Sequence, residues 1–177
     1  MYSMLQLLTC YWCLISPDLE TGPAKGTALP TLKVTMVTGE KAGKELDTAR
    51  EEYKPVAFIF LRSDRFDRPQ ARFLSHLDKE IVKAGRERHV LVIWLTDDVE
   101  KGKEYLPRVQ GSLKLSKTFF SISADGFAGP PDWAINNDCH LSVIIPQAGK
   151  VRACFGYRSV NETDVPAVMK AMPESDQ

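Results

Sequence analysis

The alternation of apolar and polar side chains sorts the chain into short segments. Residues 31–38 (TLKVTMVT) set Leu32, Val34 and Met36 against polar neighbours, the period-two pattern of a half-buried strand. Gly39 to Gly43 turn the chain, and residues 44–48 return as a short second strand. Pro55 opens the unbroken apolar run 56–61 (VAFIFL), which fits a central strand buried on both faces. Phe73, Leu74, Leu77 and Ile81 then recur at helical spacing, with Asp67 as N-cap, Pro69 in the first turn and Gly85 at the end. Residues 90–95 (VLVIWL) form a second buried strand, after which Thr96 or Asp97 caps a helix that reaches about Leu106 and stops before Pro107. Two parallel strands joined by a crossover helix make a right-handed βαβ unit. Residues 118–123 add a further strand or extended segment. Residues 141–145 and 151–157 flank a glycine-bearing turn and read as a hairpin, and Asp164, Val165 and Pro166 start a last helix carrying Val168, Met169 and Met172. The pattern predicts an α/β domain with a mixed central sheet and an N-terminal β-hairpin.

Composition narrows this picture. The 177 residues suit one domain with a self-sufficient core. Lys plus Arg and Asp plus Glu are both 23, which argues against a nucleic-acid binder that relies on bulk positive charge. We divide the chain into a leader and linker (1–28), a folded domain (29–173) and a disordered tail (174–177). Residues 4–15 (MLQLLTCYWCLI) are too few to span a membrane, though the length suits the apolar core of a signal peptide. No Lys or Arg precedes them and no clear small-residue cleavage site comes after them. A truncated signal segment favours an exported or periplasmic protein; otherwise a cytoplasmic one is expected, with the segment a disordered or loosely docked arm. Pro17, Gly22, Pro23, Gly26 and Pro30 mark residues 16–30 as a linker.

The order of elements resembles the thioredoxin-like fold in its redoxin or peroxiredoxin-type branch, over about residues 29–172. Residues 33–46 look like the hairpin that precedes the core in redoxins, with Gly43-Lys44 in its second strand. Residues 54–77 look like the strand and helix that bracket the active-site cysteine. Trp133-Ala134-Ile135, the run 141–145 and Gly149-Lys150-Val151 look like the family's tract of aromatic, short loop, strand and Gly-Lys turn. The resemblance implies a three-layer sandwich and a thiol at the N-terminus of the first helix, where the helix dipole and free N–H groups stabilise a thiolate. Here that helix start reads Phe66-Asp67-Arg68-Pro69-Gln70. With Pro69 at the proline of a Cys-x-Pro-Cys site, Asp67 and Gln70 stand where the two cysteines would be, and neither is a thiol nucleophile. The family's cis proline, counted back from Gly149-Lys150-Val151, falls at His140, preceded by Cys139.

The four cysteines are Cys10, Cys13, Cys139 and Cys154. The Cys10-Tyr-Trp-Cys13 spacing matches a redox pair, but its apolar context supplies neither the buried strand nor the capped helix such a pair needs. As half of a zinc site it would need Cys139 and His140 through a fold-back, and no metal site is expected. Cys139 beside His140 is the one candidate nucleophile; adjacent residues of an extended segment point to opposite sides, so a structural thiol is the ordinary reading. Cys154 should face Ser142 or Val143, too far from Cys139 for a disulfide. Arg62, Arg65, Arg68 and Arg72, interleaved with Asp64 and Asp67, suggest an anion site, but the aspartates favour an internally paired, solvated run. Asp97-Asp98 reads as helix capping, His76 as exposed, and His89 as a strand-entrance residue. Trp133 reads as packing a loop on the core.

These residues favour a redoxin-like domain without active-site thiols, a binding or accessory module rather than an enzyme, with no cofactor. Its cleft is expected to be bordered by Ser63, Asp64, Arg65, Asp67, Arg68, Pro69, Gln70, Trp133, Asn137, Cys139 and His140, and to take a protein or peptide partner. The alternative is a non-standard thiol oxidoreductase that uses Cys139.

Overall fold

In the computed structural model the described residues are 19–48, 55–85 and 89–173. The Cys10–Cys13 pair, most of the leader and the 174–177 tail lie outside them.

The elements are β1 (Lys33–Met36), β2 (Glu45–Asp47), β3 (Ala57–Arg62), α1 (Arg68–Lys83), β4 (Val90–Leu95), α2 (Val99–Leu113), β5 (Thr118–Ile122), β6 (Leu141–Gln147), β7 (Lys150–Tyr157) and α3 (Val165–Ala171). The strands form one mixed sheet in the order β2-β1-β5-β4-β3-β6-β7. β3, β4 and β5 are parallel, whereas β6 runs antiparallel to β3, and β7 to β6. The N-terminal hairpin β1–β2 joins the sheet antiparallel to β5. The unbroken apolar runs are therefore the strands buried on both faces, as their composition requires.

Alternate side chains feed two separate apolar clusters. Ile59, Leu61, Val92 and Trp94 point to one face, where they meet Phe73 and Leu77 of α1, Leu106 of α2 and Val168 of α3. Phe58, Phe60, Leu91 and Ile93 point to the other, which is closed by Leu32, Trp133 and Val151 rather than by an α-helix. The result is three layers: helices, sheet, and a covering of loop and extended chain.

Three local expectations need correcting. First, α2 runs through Pro107 to Leu113, and its N-cap is Asp98, whose side chain accepts from the Lys101 N–H at 3.0 Å. Pro107 is on the exposed side, while Leu106 and Val109 are buried. Packing of that apolar face outweighs the hydrogen bond that proline removes. Second, Cys154 pairs with Ile144, not Ser142 or Val143, because a bulge between Ile145 and Pro146 shifts the register. The hairpin turns on two residues, Ala148 and Gly149, both at positive φ (49° and 72°), as a tight two-residue hairpin turn demands.

The third correction concerns the linker. Residues 19–29 are not a free tether but a strap docked along the β6–β7 hairpin. Leu19 bridges to Gly156 and Ala28 to Lys150. The Gly26 N–H donates to the Val151 carbonyl at 2.7 Å, and the Val151 N–H to the Thr27 carbonyl at 2.9 Å. The glycines and prolines that suggested a linker are here the residues that let a strand-like segment bend along the hairpin. Gly22 and Gly26 both have positive φ.

Candidate binding cleft at the N-terminus of the first helix

The start of α1 is fixed by a reciprocal cap. Asp67 is extended, and its carboxylate accepts from the Gln70 N–H at 3.0 Å, while the Gln70 side-chain carbonyl accepts from the Asp67 N–H at 3.3 Å. Two otherwise unpaired helix N–H groups are satisfied in this way. Asp67 is exposed, whereas Gln70 is only 2% exposed, so this pair spans the surface and the core at the first turn. Pro69 occupies the first turn as expected.

The chain before the helix is organised by Arg62. Its guanidinium grips the Asp64 carboxylate with two hydrogen bonds, at 3.0 and 3.1 Å, and reaches the Asn137 carbonyl at 3.4 Å. The Arg62 hydrogen bond holds the Asp64 carboxyl below its usual value, against an opposing effect of burial. Arg65 is a looser partner of the same carboxylate, at 3.9 Å. The arginine run is thus largely self-paired at its start, and Arg72 lies 3.9 Å from Glu162.

His140 immediately precedes β6, and its carbonyl accepts from the Arg62 N–H at 3.2 Å. Burial pushes its pKa down, and Arg65 and Arg62 add to this against Asp67 and Asp64. The imidazole therefore shares the electrostatic environment of the helix start. Asn137 and Asp138 lie on the same loop, and Asp138 meets Arg158 at 3.4 Å. The structure thus brings residues 63–70, Asn137 and His140 to one end of the sheet. All described peptide bonds are trans, that before His140 included.

Two expected members of the cleft lie elsewhere. Trp133 is fully buried on the helix-free face of the sheet, with ring centroids 4.9 Å from Phe58 and 5.0 Å from Phe60. Its indole N–H donates to the Thr31 carbonyl at 3.0 Å. It is a core residue, because an indole this far inside satisfies its one polar atom on the backbone. Cys139 is 2% exposed, and its sulfur lies against Gly156 beneath the strap. Burial raises its pKa despite hydrogen bonds from Ser142 and Thr21. Cys154 sits under the same strap, its thiol 3.5 Å from the Pro23 carbonyl, with its pKa pushed up to about 11 by burial. Neither thiol is in a disulfide.

Beside the helix start, at the C-terminal ends of β3 and β4, is a cavity of about 520 Å³. Phe66, Trp94, Tyr105 and Phe127 line it together with Ser63, Asp64, Asp97 and Asp98. The open ends of parallel strands are the usual ligand position in such sheets. The aromatic residues come from four different segments, so no local pattern in the sequence announces the cavity. The signal available was topological: two buried parallel strands that both end in an aspartate-bearing loop. Among the described residues no cluster of His, Cys, Asp and Glu is arranged to hold a metal, and no helix is long and apolar enough to cross a membrane.

No protein-family model matches the chain, and no curated protein matches it in sequence. Solved structures do resemble it. A secreted thiol-disulfide isomerase from Corynebacterium glutamicum superposes with a TM-score of 0.59 at 16% identity, over 92% of this chain and 96% of its own. A thiol peroxidase from Chromobacterium violaceum gives 0.56 at 16% identity, over 84% and 85%. A yeast mitochondrial 1-Cys peroxiredoxin gives 0.55 at 14% identity, over 84% and 75%. The chain has the thioredoxin-like fold. At these identities the likeness establishes the fold.

Proposed function

We propose that the chain is a redoxin-type binding or accessory module that docks a protein or peptide partner at the N-terminus of α1 and performs no thiol chemistry there. The observation that carries this reading is the reciprocal Asp67–Gln70 cap. By the resemblance these residues occupy the two thiol positions, and the Gln70 N–H of the first turn, of the kind that would stabilise a thiolate, is engaged by the Asp67 carboxylate instead. A carboxylate neutralises the positive end of the helix as a thiolate would, but it cannot exchange electrons with a disulfide. The partner surface runs over Ser63 to Gln70, Asn137 and His140. Cys139 is buried and Cys154 half-buried, and burial raises the pKa of both, so at neutral pH they are protonated.

The test is turnover of a disulfide and of hydrogen peroxide with thiol reductant supplied, comparing the native chain with Cys139→Ser. The expected result is no turnover above background in either. Robust turnover that Cys139→Ser abolishes overturns the reading, and makes the chain a thiol oxidoreductase like the isomerase and peroxidase it resembles in fold.

A further inference from the structure

We infer that the cavity beside the helix start binds a weakly hydrated organic cation, an alkylated ammonium or a guanidinium group. Four aromatic side chains surround it at mixed angles. Trp94 meets Phe66 edge-on at 5.3 Å and 71°, and lies 6.0 Å from Tyr105 at 44°. Several aromatic rings lining one volume are the furnishing of an organic-cation site, and Phe66, Trp94, Tyr105 and Phe127 supply four. The volume of about 520 Å³ lies within the ordinary range of small-molecule sites.

The charge of the lining points the same way. Asp64 is already paired with Arg62, which leaves the Asp97 and Asp98 carboxylates against the single ammonium of Lys101. Each aspartate is held in place. Asp64 is gripped by Arg62, one Asp97 oxygen accepts from the Phe127 N–H at 3.3 Å, and one Asp98 oxygen accepts from the Lys101 N–H. The second oxygens of Asp97 and Asp98 have no hydrogen-bond partner among the described residues. The molecule also supplies its own precedent. The Arg62 guanidinium carbon sits 5.0 Å from the centroid of the Phe127 ring, so one of the lining rings already takes an organic cation on a face. Tyr105 lines the cavity and is 43% exposed, so its ring can be changed without disturbing the core.

This inference rests on the cavity and holds whether or not the helix start is redox-silent. The test is calorimetric titration of the full chain with choline, with its neutral carbon isostere dimethylbutanol, and with acetylarginine amide. We expect saturable binding of at least one cation in the millimolar range and binding of the neutral isostere about ten-fold weaker or less. Choline binding better indicates a free small-molecule cation, and acetylarginine amide binding better a side chain of a partner protein. Tyr105→Ala should weaken binding about five-fold, while Tyr105→Phe should retain it, because the ring rather than the hydroxyl is at work. Because Tyr105 is half in solvent, neither variant threatens the fold. Equal binding of the isostere, an unchanged affinity in Tyr105→Ala, or no saturable binding of either cation would overturn the inference.

Discussion

The start of α1 and the strap-covered face of the β6–β7 hairpin divide between them what a thiol enzyme of this fold keeps together. The first has the electrostatics: a capped helix N-terminus, a half-buried histidine and a set of paired charges that reaches the surface at Asp64 and Asp67. The second has the described thiols, Cys139 buried and Cys154 half-buried beneath residues 19–29. Thiolate chemistry needs a cysteine that is both exposed and electrostatically favoured, and neither region meets both conditions. Where the helix would favour a thiolate stands Asp67. Where thiols stand, burial favours the protonated form.

The most damaging way to disturb this division is to lift the strap. A methyl group added at Gly156 would press into the Leu19 carbonyl oxygen and lie 2.8 Å from the Cys139 sulfur. The crowded atoms include strap backbone, which has no rotamer to escape into. Gly156→Ala should therefore cost about 2–3 kcal/mol in chemical denaturation. It should also make residues 19–29 the first site of proteolysis.

A smaller effect is expected at the other region. Asp67→Ala removes the carboxylate half of the capping box and should cost about 1 kcal/mol, read from the denaturation midpoint. Asp67→Ser should recover most of it, because a hydroxyl also accepts from the helix N–H. If Asp67→Ala proves neutral, the cap does not define the start of α1.

The smallest effect is on protons. His140 should titrate by NMR with a midpoint below the ordinary 6.5. The unfolded chain then binds the proton more readily than the folded one. The associated stability is complete above about pH 6.5 and is lost as the pH falls through the folded-state value. A midpoint at or above 6.5 would mean that neither burial nor the neighbouring Arg65 disfavours the charged imidazole.

Much of this arrangement was legible in the sequence, and the reasons are local. The runs 56–61 and 90–95 announce central strands because burial on both faces permits little else, and Asp67-Arg68-Pro69-Gln70 announces a helix start because each residue suits its position. The helix through Pro107 was not legible, since the decisive fact is which side of α2 meets the sheet. The strap was not legible either, because Gly and Pro signal a bend equally well in a tether and in a docked segment. Trp133 was placed at the cleft by family spacing, yet strand alternation puts its partners Phe58 and Phe60 on the opposite face. The aromatic cavity needed tertiary structure, because its walls come together only when β3, β4, α2 and the loop carrying Phe127 do.

The separation of thiols from the helix start is tested most directly by alkylating the native chain across pH 6 to 9 and mapping the modified cysteines by mass spectrometry. Cys139 and Cys154 should stay unmodified throughout and react fully only after denaturation. Rapid modification of Cys139 below pH 7 in the folded chain would mean an exposed, activated thiol, and would contradict the account.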